Sequence, residues 1–517
     1  MKLINYFCSL LVLGMTSSVF AEVSLPAIID SGMILQSGAS VPVWGWAEPH
    51  ERVTVTFAGQ TEKTEASSQG KWMVRLKPLK VSNAAREMTI QGKNLITLKN
   101  VLVGEVWLAS GQSNMEYSLG AVAKEEQDIA FKQIDNQHFR MFCIPPKVRS
   151  SLPLEDTAGY WSDCSFFIKQ LKNKKIKGYD SHSAVGFFFG LKLQQDLNVP
   201  VAVIDSSWGG TRIESWIADE GYEMEGIPLR EINKADDSIK TDFEDLSMSI
   251  KEWRESAYES IENHQVPTPQ VKTKRSKVVN SIYNGMIAPL APFAIRGTVW
   301  YQGEANRGSK DYFQKLKALT GGWSKVFGVQ NMPFYLVQLA PYNYAHSNKS
   351  LSAQLIHDSV VSAQYKAAEA IQGCDVINIS DTVFGNVRNV HPKHKKTVGD
   401  RLAALALHHD YGKEVVCSGP KFASATLRGK DIVVNFDRID QGLETNDGKA
   451  PNWLEVAGAD EFFYEATAKI EKNCLVVSCL KVSSPKFIRM AWNNIAEQNL
   501  RDKNGWPAFS FNAEVKE

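Results

Sequence analysis

The stretch Val103-Gly-Glu-Val-Trp-Leu-Ala-Ser-Gly-Gln-Ser-Asn-Met-Glu-Tyr117 changes character halfway along. VGEVWLAS is almost continuously apolar and stops at GQSN, a cluster of small, amide and hydroxyl side chains. A short apolar run without alternation fits a strand covered on both faces, as in a parallel sheet. Four further runs share this texture: VAVIDSS (201–207), GTVWYQ (297–302), FYLVQLA (334–340) and DVINIS (375–380). Helical stretches separate them, including AVGFFFGLKLQQDL (184–197) and TVGDRLAALALHH (397–409). Alternating β and α elements predict an α/β fold, an open parallel sheet flanked by helices, over residues 101–411.

On either side the texture is different. Residues 22–100 carry VPVWGWA, RVTVTFAG, KWMVRLK and EMTIQG, short runs rich in β-branched and aromatic residues, and predict a β-sandwich. Residues 412–517, with ASATLRG, DIVVNFD, CLVVSCL and KFIRMAW, predict a second β-rich region. An insertion at about 221–280 holds Phe243, Leu246, Ile250, Trp253, Ala257 and Ile261 at helical spacing. That helix either packs on the α/β core or covers a substrate cleft.

The first 21 residues read as a secretory signal peptide: Lys2, an apolar core too short to span a bilayer, and cleavage after Ala21. The expected location is secreted or periplasmic, with no membrane span. The 517 residues carry a net charge of +1, which gives no electrostatic reason for a nucleic acid or anionic membrane partner. The basic runs KNKKIK (172–177) and KTKRSK (272–277) are short and read as solvated loops. Six cysteines remain after cleavage, none with CxxC or Cys/His ligand spacing, so no metal is expected. Cys474 and Cys479 are five apart in an expected strand, point to opposite faces and should not pair.

Ligands of open α/β sheets bind beyond the carboxyl ends of the strands. The first three runs end there in polar turns: GQSN (111–114), SSWGGT (206–211) and QGEAN (302–306). The last reaches Asp381, with NVHPKHK and His391 ten residues on. Singly these are ordinary turn residues; together, on one sheet edge, they assemble acyl-transfer chemistry. Ser113 needs a base within hydrogen-bond reach, and His391 could take its proton. A tetrahedral oxyanion needs pre-aimed donors. The backbone N–H groups of Ser113 and Gly210 supply two, and an amide side chain, Gln302 or Asn306, a third.

GQSNMEY, SSWGGTRIESW, WYQGEAN and VHPKHK, in this order and spacing, resemble the sialate O-acetylesterase family, within the SGNH-type serine esterases. The likeness extends to MILQSGASVPVWGWAEPHERVTV near the start and IRMAWNNIAEQNL near the end. It implies an SGNH-hydrolase-like sheet, Ser113 as nucleophile, His391 as general base, and an oxyanion hole from Ser113, Gly210 and an amide side chain. No cofactor is implied. The implied substrates are O-acetylated sialic acids, with acetylxylan or another acetylated plant glycan as the alternative. Two positions depart from the family. Asn389 stands where an Asp often precedes the histidine by two residues, and VSAQ (361–364) lacks an acidic residue before Ala-Gln. Either Asp381 or another carboxylate orients His391, or a Ser–His pair works with a neutral acceptor, or activity is weakened and the chain is a carbohydrate-binding protein on an esterase scaffold.

Gln112, Asn114, Trp208, Arg212 and Glu304 are the candidate substrate-binding residues. Arg212 either meets a sialic acid carboxylate or pairs with Glu214 or Glu304. Glu304 is either a catalytic acid or a carboxylate bracing the loops. Trp208, Trp216 and Tyr301 either stack on sugar rings or belong to the core. His394, further into the lysine-rich turn, is the weaker base candidate.

Overall fold

The structure, a computed structural model, describes residues 22–144, 147–172, 182–228, 279–346 and 352–517. The expected leader and the expected 241–262 helix lie outside the described residues. No described helix is long and apolar enough to cross a membrane.

The chain is mixed α/β, with one large mixed sheet and additional β regions. The main path of the large sheet runs, edge to edge, Cys374–Ile377, Phe334–Val337, Gly297–Tyr301, Leu95–Gly111, Val201–Ser207, Phe139–Cys143 and Tyr160–Asp163. All neighbours are parallel except the last pair, where Tyr160–Asp163 closes the edge antiparallel. All five apolar runs of the sequence form strands here. The Phe139–Cys143 strand (FRMFC) was not legible because Arg140 interrupts it. That guanidinium is buried and donates to the carbonyls of Gly32 and Asn100, both at 2.6 Å, so its charge is absorbed by backbone rather than by water.

Register sets the site. Ser207 and Tyr301 both lie opposite Gly111, so three strands end flush on one edge. Their following turns are therefore neighbours.

Two helices cover one face. Ala184–Leu197 starts where the Ser183 hydroxyl accepts the Gly186 N–H at 2.9 Å and ends at Asn198, whose φ of 53° breaks the helix. Its phenylalanines are fully buried, and Lys395–His409 packs alongside.

Leu95–Gly111 is 17 residues long and serves two neighbourhoods. Its first half pairs with Ser82–Gln91, and Ile34–Gln36 runs beside Leu102–Gly104. One apolar core accordingly runs from Val23 through Leu407 without interruption. The C-terminal region has its own core between two four-stranded antiparallel sheets. It docks on the parallel part through both polar and apolar contacts: Asn494 Oδ1 accepts the Ile356 N–H at 3.1 Å, Asn378 Nδ2 donates to the Ala508 carbonyl at 2.8 Å, and Phe509 enters the first core against Tyr365.

Candidate active site

Ser113 opens a one-turn helix, Ser113–Glu116, directly after the central strand. The reversal depends on Gly111, whose φ is 139° and where a Cβ would lie 2.2 Å from the Tyr301 carbonyl oxygen. Tyr301 O instead receives the Gln112 N–H at 3.0 Å, locking the turn to the neighbouring strand. Ser113 Oγ then stands 2.8 Å from His391 Nε2 across 278 positions of sequence. His391 sits on the loop before helix Lys395–His409, and its ring lies 5.9 Å from that of Tyr117. Burial first, then the Lys395 cation, hold the imidazole below its ordinary pKa, so it rests neutral and able to accept a proton.

The Ser206–Thr211 turn completes the near wall. Gly209 N–H donates to Glu116 Oε2. Thr211 Oγ donates to the Trp208 carbonyl at 2.6 Å. Among the described residues, none accepts a hydrogen bond from the N–H groups of Ser113 and Gly210, and Gly210 is exposed. Those two donors are free for an incoming oxygen.

The two amide side chains are not equivalent. Gln302 is fully buried, and both its hydrogens are committed, to the Thr211 carbonyl (3.1 Å) and Asn306 Oδ1 (2.8 Å). Asn306 Nδ2 donates to Glu214 at 2.9 Å, while its Oδ1 also accepts the Ile213 N–H. Gln302 thus has no hydrogen left for an oxyanion in this arrangement, whereas Asn306 keeps one of its two. Both tie the second and third turns together.

Asn114 and Glu304 are likewise buried beneath the serine rather than presented to a ligand. Asn114 Nδ2 donates to Glu304 Oε1 at 2.6 Å and to the Val390 carbonyl at 3.0 Å, so it joins the nucleophile's helix to the histidine loop. Glu304 is a bracing carboxylate, raised in pKa by burial against the pull of Asn114 and Lys395. Gln112, also buried, accepts the N–H groups of Gly303 and Ala305 at 3.4 and 3.3 Å. Among the described residues, no group of three His, Cys, Asp or Glu side chains is placed to hold a metal ion.

Asp381, the candidate orienting acid, bonds Arg401 through both its oxygens, at 2.7 Å each, so its carboxylate is engaged in an ion pair. Asn389 Oδ1 accepts the backbone N–H of His391 at 3.0 Å, so this residue fixes the loop that carries the imidazole.

No protein-family model matches the chain. It is 31% identical to a sialate O-acetylesterase of Rattus norvegicus, covering 79% of this chain and 77% of that one. A sialate O-acetylesterase of Mus musculus is 30% identical, covering 82% of each chain. The chain belongs to the sialate O-acetylesterase family. It is an esterase, a hydrolase of carboxylic esters. A crystal structure of a carbohydrate acetylesterase from Xanthomonas citri matches 95% of this chain and 99% of its own, with a TM-score of 0.75 and 28% identity.

Seen within the sialate O-acetylesterase family, the rim has one half-buried aromatic and one exposed cation among the expected residues. Trp208 is half-buried, with the Arg149 guanidinium 4.8 Å from its ring. Arg212 is exposed but paired with Glu214 at 2.9 Å. Against burial, which raises it, Arg212 and Lys315 hold the Glu214 carboxyl down at about 2. Trp216 and Tyr301 are fully buried and belong to the core. His394 lies near Glu125 and Glu126, not the serine. Sequence reading missed three members of the site: Glu116, Tyr117 and Lys395. The last sits in a lysine-rich run that looks solvated, yet it is completely buried.

Proposed function

We propose that the chain is an exported carbohydrate esterase that removes O-acetyl groups through a serine acyl-enzyme on an SGNH-type sheet, with O-acetylated sialic acid as substrate. The observation that carries this reading is the 2.8 Å contact between Ser113 Oγ and His391 Nε2 on the carboxyl edge of the sheet. His391 takes the Ser113 proton as Oγ attacks the acetyl carbonyl, and the carbonyl oxygen gathers charge facing the Ser113 and Gly210 N–H groups. The imidazolium then returns the proton to the departing sugar oxygen, leaving acetyl-serine. Water, deprotonated by the same imidazole, releases acetate and restores Ser113. Two backbone donors matter because losing one typically slows such reactions about a hundredfold to a thousandfold. Export rests on residues 1–21 alone.

Ser113→Ala and His391→Ala should each abolish aryl acetate hydrolysis, by about four to six orders of magnitude, with the fold intact. Retained turnover in Ser113→Ala would sink the assignment. A neutral acetylated plant glycan is the second substrate reading. The pairing of Arg212 with Glu214 favours it, because that guanidinium is not waiting for a sugar carboxylate. Acetate release from O-acetylated sialic acid, compared with release from acetylxylan, decides between them.

A further inference from the structure

Lys395 lies under the Ser113–His391 pair. Its ammonium donates to Asn114 Oδ1 at 2.6 Å and sits between two aromatic faces, 4.8 Å from the Tyr117 ring and 5.3 Å from that of Tyr301. Tyr117 is also the ring beside His391, and Asn114 also holds the Val390 carbonyl, one residue before it. A fully buried lysine is rare because desolvating a cation is expensive. Here the cost is met by two π faces, one amide and two carboxylates, Glu304 and Glu126. So many residues holding one cation beside one imidazole point to a role beyond packing.

We infer that Lys395 is a positioning residue that acts through His391, its buried charge keeping the imidazole in the neutral, proton-accepting form. This rests on the serine–histidine reading above. The physical reason is like-charge repulsion from a cation that is itself fully buried and so weakly screened by water. Burial brings the Lys395 amine down to about 7, while Glu304 and Glu126 hold it up. Below that pH the side chain is charged, which is the range where an ordinary histidine takes its proton. The other charged and titratable groups packed here are Glu126, pushed up to about 7 by burial although it accepts the Lys395 and Lys396 N–H groups, and its neighbours Glu125, His394 and Lys396. Glu304 approaches from the third turn, and Tyr117 and Tyr301 from the first helix and the neighbouring strand.

The test is the pH dependence of Ser113 labelling by a fluorophosphonate, which reports the base without needing full turnover. In Lys395→Met the acid limb should move to higher pH by on the order of one unit, so labelling on the acid side falls about tenfold. Lys395→Arg, which keeps the charge, should leave the limb where it is in the wild type. If Lys395→Met does not fold, Lys395→Gln, which can still donate to Asn114, makes the same comparison. A neutral variant with an unmoved limb and only a lower plateau would overturn the inference, and so would an Arg variant shifted as far as the neutral one. Labelling that persists in Ser113→Ala would instead refute the underlying serine assignment.

Discussion

The carboxylate of Asp381 meets the guanidinium of Arg401 through two hydrogen bonds of 2.7 Å each, one to each oxygen. Arg401 is nearly buried and also donates to the Asn378 carbonyl at 2.8 Å. Asp381→Asn should therefore lower stability by about 3 kcal/mol, as breaking such pairs does, and change kcat by less than about tenfold. Loss of a true triad acid costs about four orders of magnitude. Urea denaturation together with aryl acetate kinetics separates the two; a ten-thousandfold kcat loss at unchanged stability would return Asp381 to the site.

Asn389 acts on the backbone of His391. Asn389→Ala removes one hydrogen bond worth about 1 kcal/mol from the loop and should reduce kcat/KM by roughly five- to tenfold. Asn389→Asp keeps an acceptor and adds a negative charge, so its acid limb should move to higher pH, since a nearby carboxylate favours the imidazolium. Profiles of kcat/KM against pH for both variants check this. An unshifted limb in Asn389→Asp would mean the side chain lies too far from the ring to act on it.

Gly209 has no room for a methyl group. A Cβ there would stand 2.7 Å from Glu116 Oε2 and 3.1 Å from Ser113 Cβ. Gly209→Ala should displace the nucleophile by a few tenths of an ångström or more and slow acylation by about a hundredfold, with circular dichroism unchanged. Wild-type labelling rates in this variant would show that the turn can yield.

Two buried histidines predict acid sensitivity of the fold. Burial lowers His182 to about 4 and His357 to about 3. Below about pH 6.5 the unfolded chain binds protons that the folded chain refuses, so stability falls as pH falls until those lowered values are reached. Each contributes a slope of about 1.4 kcal/mol per pH unit in that window. His182→Gln should flatten the dependence between pH 6 and 5 by that amount, measured by urea midpoints. An identical slope in wild type and variant would contradict it.

The strands carrying the site were legible because doubly covered parallel strands are apolar at every position, as in VAVIDSS, and because each ends in a turn of small residues. Helix 184–197 matched to the residue, since Ser183 and Asn198 are strong boundary signals. Ser113 and His391 were legible as a pair, and the structure brings them together. The choice between the amides was not legible because residue type does not reveal which hydrogen-bonding groups are already spent: Gln302 gives both its hydrogens to Thr211 and Asn306, while Asn306 gives one to Glu214. Lys395 was invisible for the opposite reason: its burial depends on Tyr117, Asn114 and Tyr301, all distant in sequence, while its neighbours are lysines.

The long Leu95–Gly111 strand has a consequence for how this protein can be inherited. A gene segment encoding only the region from residue 101 onward would begin inside a strand and would lack the partners Ile34–Gln36 and Ser82–Gln91. Recombination that borrows the esterase must carry the N-terminal sheet with it, whereas the C-terminal region keeps most of its apolar contacts in its own core and gives Phe509 to the first. The unit that evolution can move intact therefore starts near Val23, some ninety residues before the serine that gives it its chemistry.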